Sequence, residues 1–207
     1  MSRYTGPKNR IARRFGVNIF ARTRNPLAHK PNPPGVHGGT RRRKKSDYGL
    51  QLEEKQKLKA VFGVLTEKQL RRYYQEATRR QGNTSHIILE LLESRLDIVV
   101  YRLKFGSTIF AAQQLVSHGH ILVNGKKVDI RSFQVKPGMD ISIKEKSQKN
   151  EKIKISLGNP MRNVPDYLSL DANNFRGTLM SRPEPEQIPL PLEINVPVVC
   201  ELLAHTS

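Results

Sequence analysis

Apolar positions lay out a series of helices through the middle of the chain. Leu58, Val61, Phe62 and Leu65 recur at spacings of three and four behind Ser46 or Asp47, either of which suits a helix cap. Thr66 with Gln69 has the form of a capping box. It predicts a second helix whose Leu70, Tyr73, Tyr74 and Ala77 share one stripe and which Gly82 ends. Arg71, Arg72, Arg79 and Arg80 fall largely off that stripe, as solvent-facing charge or as contacts for RNA. A shorter helix follows, with Ile87, Ile88, Leu91 and Leu92 as its apolar face. Residues 47–93 thus read as a small helical domain.

The pattern restarts at Ser94, the expected N-cap of a helix with Leu96, Val99, Val100 and Leu103 on one face and Asp97 near its positive end. Gly106-Ser107 breaks the chain and caps the next helix, whose stripe is Ile109, Ala112 and Val116 and whose C′ residue is Gly119. His120 to Val123 then reads as a strand, Asn124-Gly125 as a two-residue hairpin turn and Lys126 to Val128 as the partner strand. Two more short strands are expected near 132–135 and 140–144, around the Pro137-Gly138 turn. His118 and His120 flank the helix end with no cysteine or carboxylate nearby to complete four ligands, so no metal site is expected there.

Charge changes what these elements are for. The formal net charge of the 207 residues is +18, far beyond what solubility needs, and it points to polyanionic partners, nucleic acid ahead of a membrane surface. Residues 1–46 carry 13 Lys and Arg with no Asp or Glu, whereas residues 151–207 have five basic against seven acidic residues. Broken by Gly and Pro and without an amphipathic period, the N-terminal stretch reads as an arm that orders against phosphates. Tyr4, Phe15 and Phe20 are candidates to stack on unpaired bases, worth ~1–3 kcal/mol each. The densest cluster is Arg41, Arg42, Arg43, Lys44 and Lys45. A single cysteine, Cys200, excludes an internal disulfide framework, and no apolar run is long enough to span a bilayer. A cytosolic protein is the expectation.

The run from SRLDIVVYRLKFG to AAQQLVSHGHILVNGKKVDIRSFQVKPGMDISIKEK resembles the small RNA-binding domain named after bacterial-type small-subunit ribosomal protein four. RYTGPKNRIARR, PGVHG, SDYGLQLEEKQKLK, YYQEATRRQGNT and INVPVVCELL extend the resemblance to that ribosomal protein family itself. It implies an α+β architecture: a basic N-terminal extension (1–46), a small all-helical domain (47–93) completed by a C-terminal helix within about 180–207, and an inserted RNA-binding domain (94–179) of two helices on a small, mainly antiparallel sheet. INVPVVCELLAH suits the returning helix, with Asn195 as cap and Pro197 in its first turn. It further implies a ribosomal, non-enzymatic protein that binds small-subunit rRNA early in assembly. Its other partners would be neighbouring small-subunit ribosomal proteins and mRNA, at the channel through which mRNA enters and where translational accuracy is set. No cofactor, membrane or homo-oligomer is expected.

Matching the family onto this chain, the expected RNA contacts are Arg3, Tyr4, Lys8, Arg10, Arg13, Arg14, Arg22, Arg24, His37, Arg41 to Arg43, Lys44, Lys45, Tyr48, Lys55, Lys59, Arg71 and Arg72 before residue 94. Lys104, Lys126, Lys127 and Arg131 follow in the inserted domain. Some members hold zinc through four cysteines in the arm; this arm has none, so no zinc is expected. The family commonly has arginines where Ile109 and Gln113 stand, which implies an RNA face resting more on Lys104, Lys126, Lys127 and Arg131. The Pro- and Glu-rich stretch 181–193 matches little and reads as a surface loop.

Two other classes compete. The same small domain is appended to RNA-modifying enzymes, and Arg95-Leu96-Asp97 spells a tripeptide resembling that of pseudouridine synthases. Yet no remaining stretch is long enough for a catalytic domain, and no phosphate-cradling loop or nucleophile elbow is present. A non-ribosomal RNA chaperone acting by charge alone fits the composition equally well.

Overall fold

A computed structural model describes residues 4–22, 24–40, 44–160 and 162–206. The chain forms two compact units, residues 1–85 with 190–207, and residues 86–189.

The first unit is helical: α1 (Lys8–Phe15), α2 (Pro26–His29), α3 (Asp47–Val61) and α4 (Glu67–Arg79). The N-terminal stretch is thus more structured than its composition predicts. Among its bases, α1 buries Ala12, and the turn after it buries Ile19 and Phe20. Ser46 caps α3 by accepting from the Gly49 N–H at 3.2 Å. The capping box at α4 is complete: the Gln69 N–H donates to Thr66 Oγ1, and Gln69 Oε1 accepts from the Thr66 N–H. The next helix, α5 (Thr84–Glu93), begins in this unit and ends in the other. The last turns of α5 bond within the second unit: Gln134 donates to the Leu91 carbonyl, and Glu93 accepts from Arg102 and Tyr167.

In the second unit α6 (Leu96–Arg102) and α7 (Ile109–Ser117) pack on a five-stranded sheet, wholly antiparallel, of order β2-β1-β3-β5-β4. Its strands are β1 (Ile121–Val123), β2 (Lys126–Lys127), β3 (Asp140–Ile143), β4 (Leu168–Asp171) and β5 (Arg176–Leu179). Two short helices, α8 (Glu145–Gln148) and α9 (Glu151–Leu157), connect β3 to β4. Positive φ at Asn124 and Gly125 fits the primed hairpin turn between β1 and β2. The expected strand at 132–135 is absent apart from a single bridge between Arg95 and Gln134. Instead, carbonyls of that segment receive the first N–H groups of α6: Leu96 donates to Phe133 and Asp97 to Arg131. This replaces the expected Ser94 cap; Arg95 holds the cap position without a side-chain bond. Thr108, not Ser107, caps α7, accepting from the Ala111 N–H at 3.2 Å.

The core of this unit joins Leu96, Val100 and Leu103 of α6 and Ala112 and Val116 of α7 to Ile121, Ile141 and Leu179 of the sheet. Within the 181–193 stretch a 3-10 turn (Pro185–Gln187) lies between buried Pro183 and Ile188, so this is a docked segment rather than a free loop. Back in the first unit, α10 (Val196–His205) packs on α3 and α4 and buries Val199 and Leu203. Asn195 caps it, accepting from the Val198 N–H at 3.3 Å.

A Cβ added at Gly106 would lie 2.6 Å from Ala112 N and 3.0 Å from Ala112 Cα, so it would push the backbone of α7. Gly106→Ala is therefore expected to cost about 1–3 kcal/mol of stability, seen as a lowered midpoint in chemical denaturation.

Candidate nucleic-acid interface

Several arginines of the N-terminal stretch bond other parts of it, Arg22 and Arg24 while remaining exposed. Arg13 Nε donates to the carbonyls of Lys30 (3.0 Å) and Asn32 (2.9 Å), and its Nη2 to that of Pro33 (3.3 Å). Arg22 Nη1 donates to Asn9 Oδ1 at 2.6 Å, and Arg24 meets the His29 ring at 3.0 Å. These three fasten segments that charge repulsion would spread. Arg10, Arg14, His37, Lys44 and Tyr48 are exposed, and Lys8 is half-buried. Arg14 lies over the Phe15 ring at 5.7 Å, and with exposed Tyr4, Ile11 and Lys59 it lines a cleft of about 340 Å³. Phe20 is 1% exposed and belongs to the core, so it is not available to stack on a base. Arg3, Arg41, Arg42 and Arg43 lie outside the described residues.

Lys45, just before α3, pairs with Glu53 on it. Lys55 and Lys59 each donate to one oxygen of Glu67 at 2.9 Å, with Arg71 at 3.9 Å from the same carboxylate. Partial burial raises the Glu67 pKa, but the hydrogen bonds and charges of Lys55 and Lys59 outweigh it and hold the group below its usual range. Lys55 is buried and committed to Glu67, a poor position for meeting phosphate; Lys59, Arg71 and Arg72 remain at or near the surface.

In the second unit the centre is Asp97, with no exposure. Arg95 donates to both its oxygens, at 3.0 and 2.8 Å, and Gln113 Nε2 donates to Oδ2 at 3.2 Å. Gln113 and Ile109, where the family commonly has arginines, are buried at 9% and 4% exposure. The same network leaves Asp97 no access to a substrate, against the pseudouridine-synthase reading of Arg95-Leu96-Asp97.

Cations gather at the end of α7. The Lys127 stem runs across Gly119, where its Cε would be 2.2 Å from an added Cβ, and Arg131 Nε donates to Ser117 Oγ at 2.7 Å. Lys126 is exposed beside the hairpin turn. Lys104, with φ +61°, is instead tied by its Nζ to the Asn159 carbonyl at 3.2 Å. Sequence reasoning passed over exposed Lys144, Lys146, Lys149, Lys152 and Lys154; their signal, five bases within eleven residues, was diluted by Glu145 and Glu151. Among the described residues no group of three or more His, Cys, Asp or Glu could hold a metal ion.

Two helices on a small antiparallel sheet, with cations at the helix end and hairpin and a second, basic helical unit, define a nucleic-acid-binding protein. Comparison makes the assignment specific. A model described as "Ribosomal protein S4/S9 N-terminal domain" matches residues 3–93, and one described as "S4 domain" matches residues 94–141. The chain is 69% identical over its full length, and the relative's, to small ribosomal subunit protein uS4 of Protochlamydia amoebophila. It is 62% identical to that of Chlamydia trachomatis serovar L2 and 59% to that of Chlamydia caviae, again over both whole chains. The chain belongs to the uS4 family of small-subunit ribosomal proteins, which are structural RNA-binding proteins and not enzymes.

Replacing Glu67 with Gln removes the charge that Lys55 and Lys59 share and one of the two oxygens they bond. A loss of about 1–3 kcal/mol is expected at neutral pH. Because the native pKa of Glu67 is lowered, its contribution is present above the unfolded value of about 4.3 and disappears as pH falls through the native value. The difference between wild type and Glu67→Gln in urea melts should therefore shrink toward zero in acid.

Proposed function

We propose that the chain binds small-subunit rRNA directly and nucleates early assembly of the small subunit. Family membership carries this reading, and the basic surfaces on both units support it. Each unit holds an RNA segment through cations on a rigid frame, Lys126, Lys127 and Arg131 in one, Arg10, Arg14, Lys44 and Lys59 in the other. The contacts with phosphate give affinity, while their fixed spacing selects a folded RNA. Arg41 to Lys45 further contribute to the channel through which mRNA enters, beside neighbouring small-subunit ribosomal proteins. The site of action is the ribosome in the cytoplasm.

The deciding measurement compares affinity for the 5′ domain of small-subunit rRNA with that for an unrelated structured RNA of equal length. It must be made near physiological salt, since low salt lets a charge of +18 bind any RNA. A preference of roughly a hundredfold or more is expected on this reading. Equal affinities would leave only a non-specific RNA binder. Replacing Arg42 and Arg43 with Ala should reduce the magnitude of the salt slope by about 2 if both meet phosphates; an unchanged slope removes them from the interface.

A further inference from the structure

The second unit runs on beyond the matched S4 domain, which ends at residue 141 inside β3. The continuation opens with Lys144, Lys146, Lys149, Lys152 and Lys154 against Glu145 and Glu151, all seven exposed. Among the described residues none of these lysines takes part in an ion pair, unlike Lys45, Lys55, Lys57 and Lys59 in the other unit.

A lysine run is ordinarily a solvated face, but this one sits on a fixed backbone. The Lys144 N–H donates to the His120 carbonyl at 2.9 Å, and His120 Nδ1 lies 2.8 Å from Ser147 Oγ. Gln148 Nε2 donates to the Ile143 carbonyl at 3.0 Å, and Asn150 Oδ1 accepts from the Lys152 N–H at 3.0 Å. Ile153, 2% exposed, anchors α9 in the core. The backbone carrying the cations is therefore ordered before any ligand arrives, which lowers the entropy cost of meeting one.

Beside this ridge, between α7 and α9, lies a cleft of about 180 Å³. Ser107, Gln114, His118, His120, Asn150 and Lys152 supply hydroxyl, amide, imidazole and ammonium groups to its wall, and no carboxylate lines it among the described residues. That donor set suits phosphate oxygens and repels no anion. Ile155, 73% exposed on the same short helix, offers an apolar surface next to the cations.

We propose that the 144–154 ridge and the α7–α9 cleft form a second RNA-binding surface on this unit. It takes a phosphodiester backbone, with one phosphate held near Lys152 and the flanking lysines following the strand. The surface shares no residue with Lys126, Lys127 and Arg131. Its ligand rests on the RNA-binding reading above.

The test uses the full chain and the variant Lys149→Gln/Lys152→Gln/Lys154→Gln, whose sites are exposed; equal melting temperatures check that folding is intact. Affinity for the 5′ domain of small-subunit rRNA is followed over a salt series, together with an unrelated structured RNA. The variant should lose about 2–3 from the magnitude of the salt slope. It should also bind roughly tenfold more weakly, or worse, near physiological salt. In the wild-type complex, Lys149, Lys152 and Lys154 should be protected from acetylation by RNA. Equal slopes with unprotected lysines would overturn the proposal. Its failure is separable from that of the rRNA reading: wild-type protein with no preference between the two RNAs would count against rRNA specificity, while the loss of slope is read on either RNA.

Discussion

The second unit depends on one buried carboxylate. Asp97, fully removed from solvent, takes both arms of Arg95 and the amide of Gln113, while its own N–H and that of Leu96 reach the carbonyls of Arg131 and Phe133. Three pieces of chain, α6, α7 and the 131–135 segment, meet at this residue, two through its carboxylate and the third through backbone N–H groups. Removing one partner of such a buried pair typically costs 3–5 kcal/mol, because the other charge is left uncompensated. The neighbouring segment carries Arg131, whose guanidinium bonds Ser117 at the end of α7, next to the Gly119 that Lys127 crosses. A residue with no exposure thus adjoins the segment that carries Arg131.

A second buried assembly joins α5, α6 and the residue just before β4. Glu93, without exposure, accepts from Arg102 at 2.5 Å and from the Tyr167 hydroxyl at 2.7 Å. Burial, reinforced by the Glu93 charge, raises the Tyr167 pKa, so the hydroxyl stays a donor across the physiological range. Arg102 extends the assembly through the Pro189 carbonyl, which draws the Pro-rich segment onto the unit. Arg162 does similar work at the end of α6: it donates to the carbonyls of Tyr101, Gly106 and Ser107 and lies over the Tyr101 ring at 4.2 Å.

What the sequence made legible was local chemistry. The Thr66–Gln69 box, the Asn124-Gly125 turn, Gly119 at positive φ and the Asn195 cap all rest on a few adjacent residues, and each is where its residue types require. What stayed hidden rested on distant partners. The β4–β5 hairpin turns at Asn173 to Phe175 without a glycine, and its strands are mixed in polarity; only pairing of β5 with β3 completes the sheet. The α6 cap escaped reading because its acceptors lie more than thirty residues away, in a segment whose alternation imitates a strand. Phe20 reads as free to stack because it stands among basic residues, yet it is buried, as Ala12 and Ile19 are.

The charge of the chain has two components that a count cannot separate. Arg13, Lys55, Arg95, Arg102 and Arg162 are engaged by carbonyls and carboxylates inside their own units, so +18 overstates what can meet phosphate. They are not wasted for binding, however. Each holds a loop or helix end still, and a cation on a still backbone gives up less freedom when a phosphate arrives than one on a coil. Composition alone favours a protein that binds any polyanion. Specificity for one folded RNA requires that outward cations keep their spacing, which on the proposed reading is the part the inward ones play.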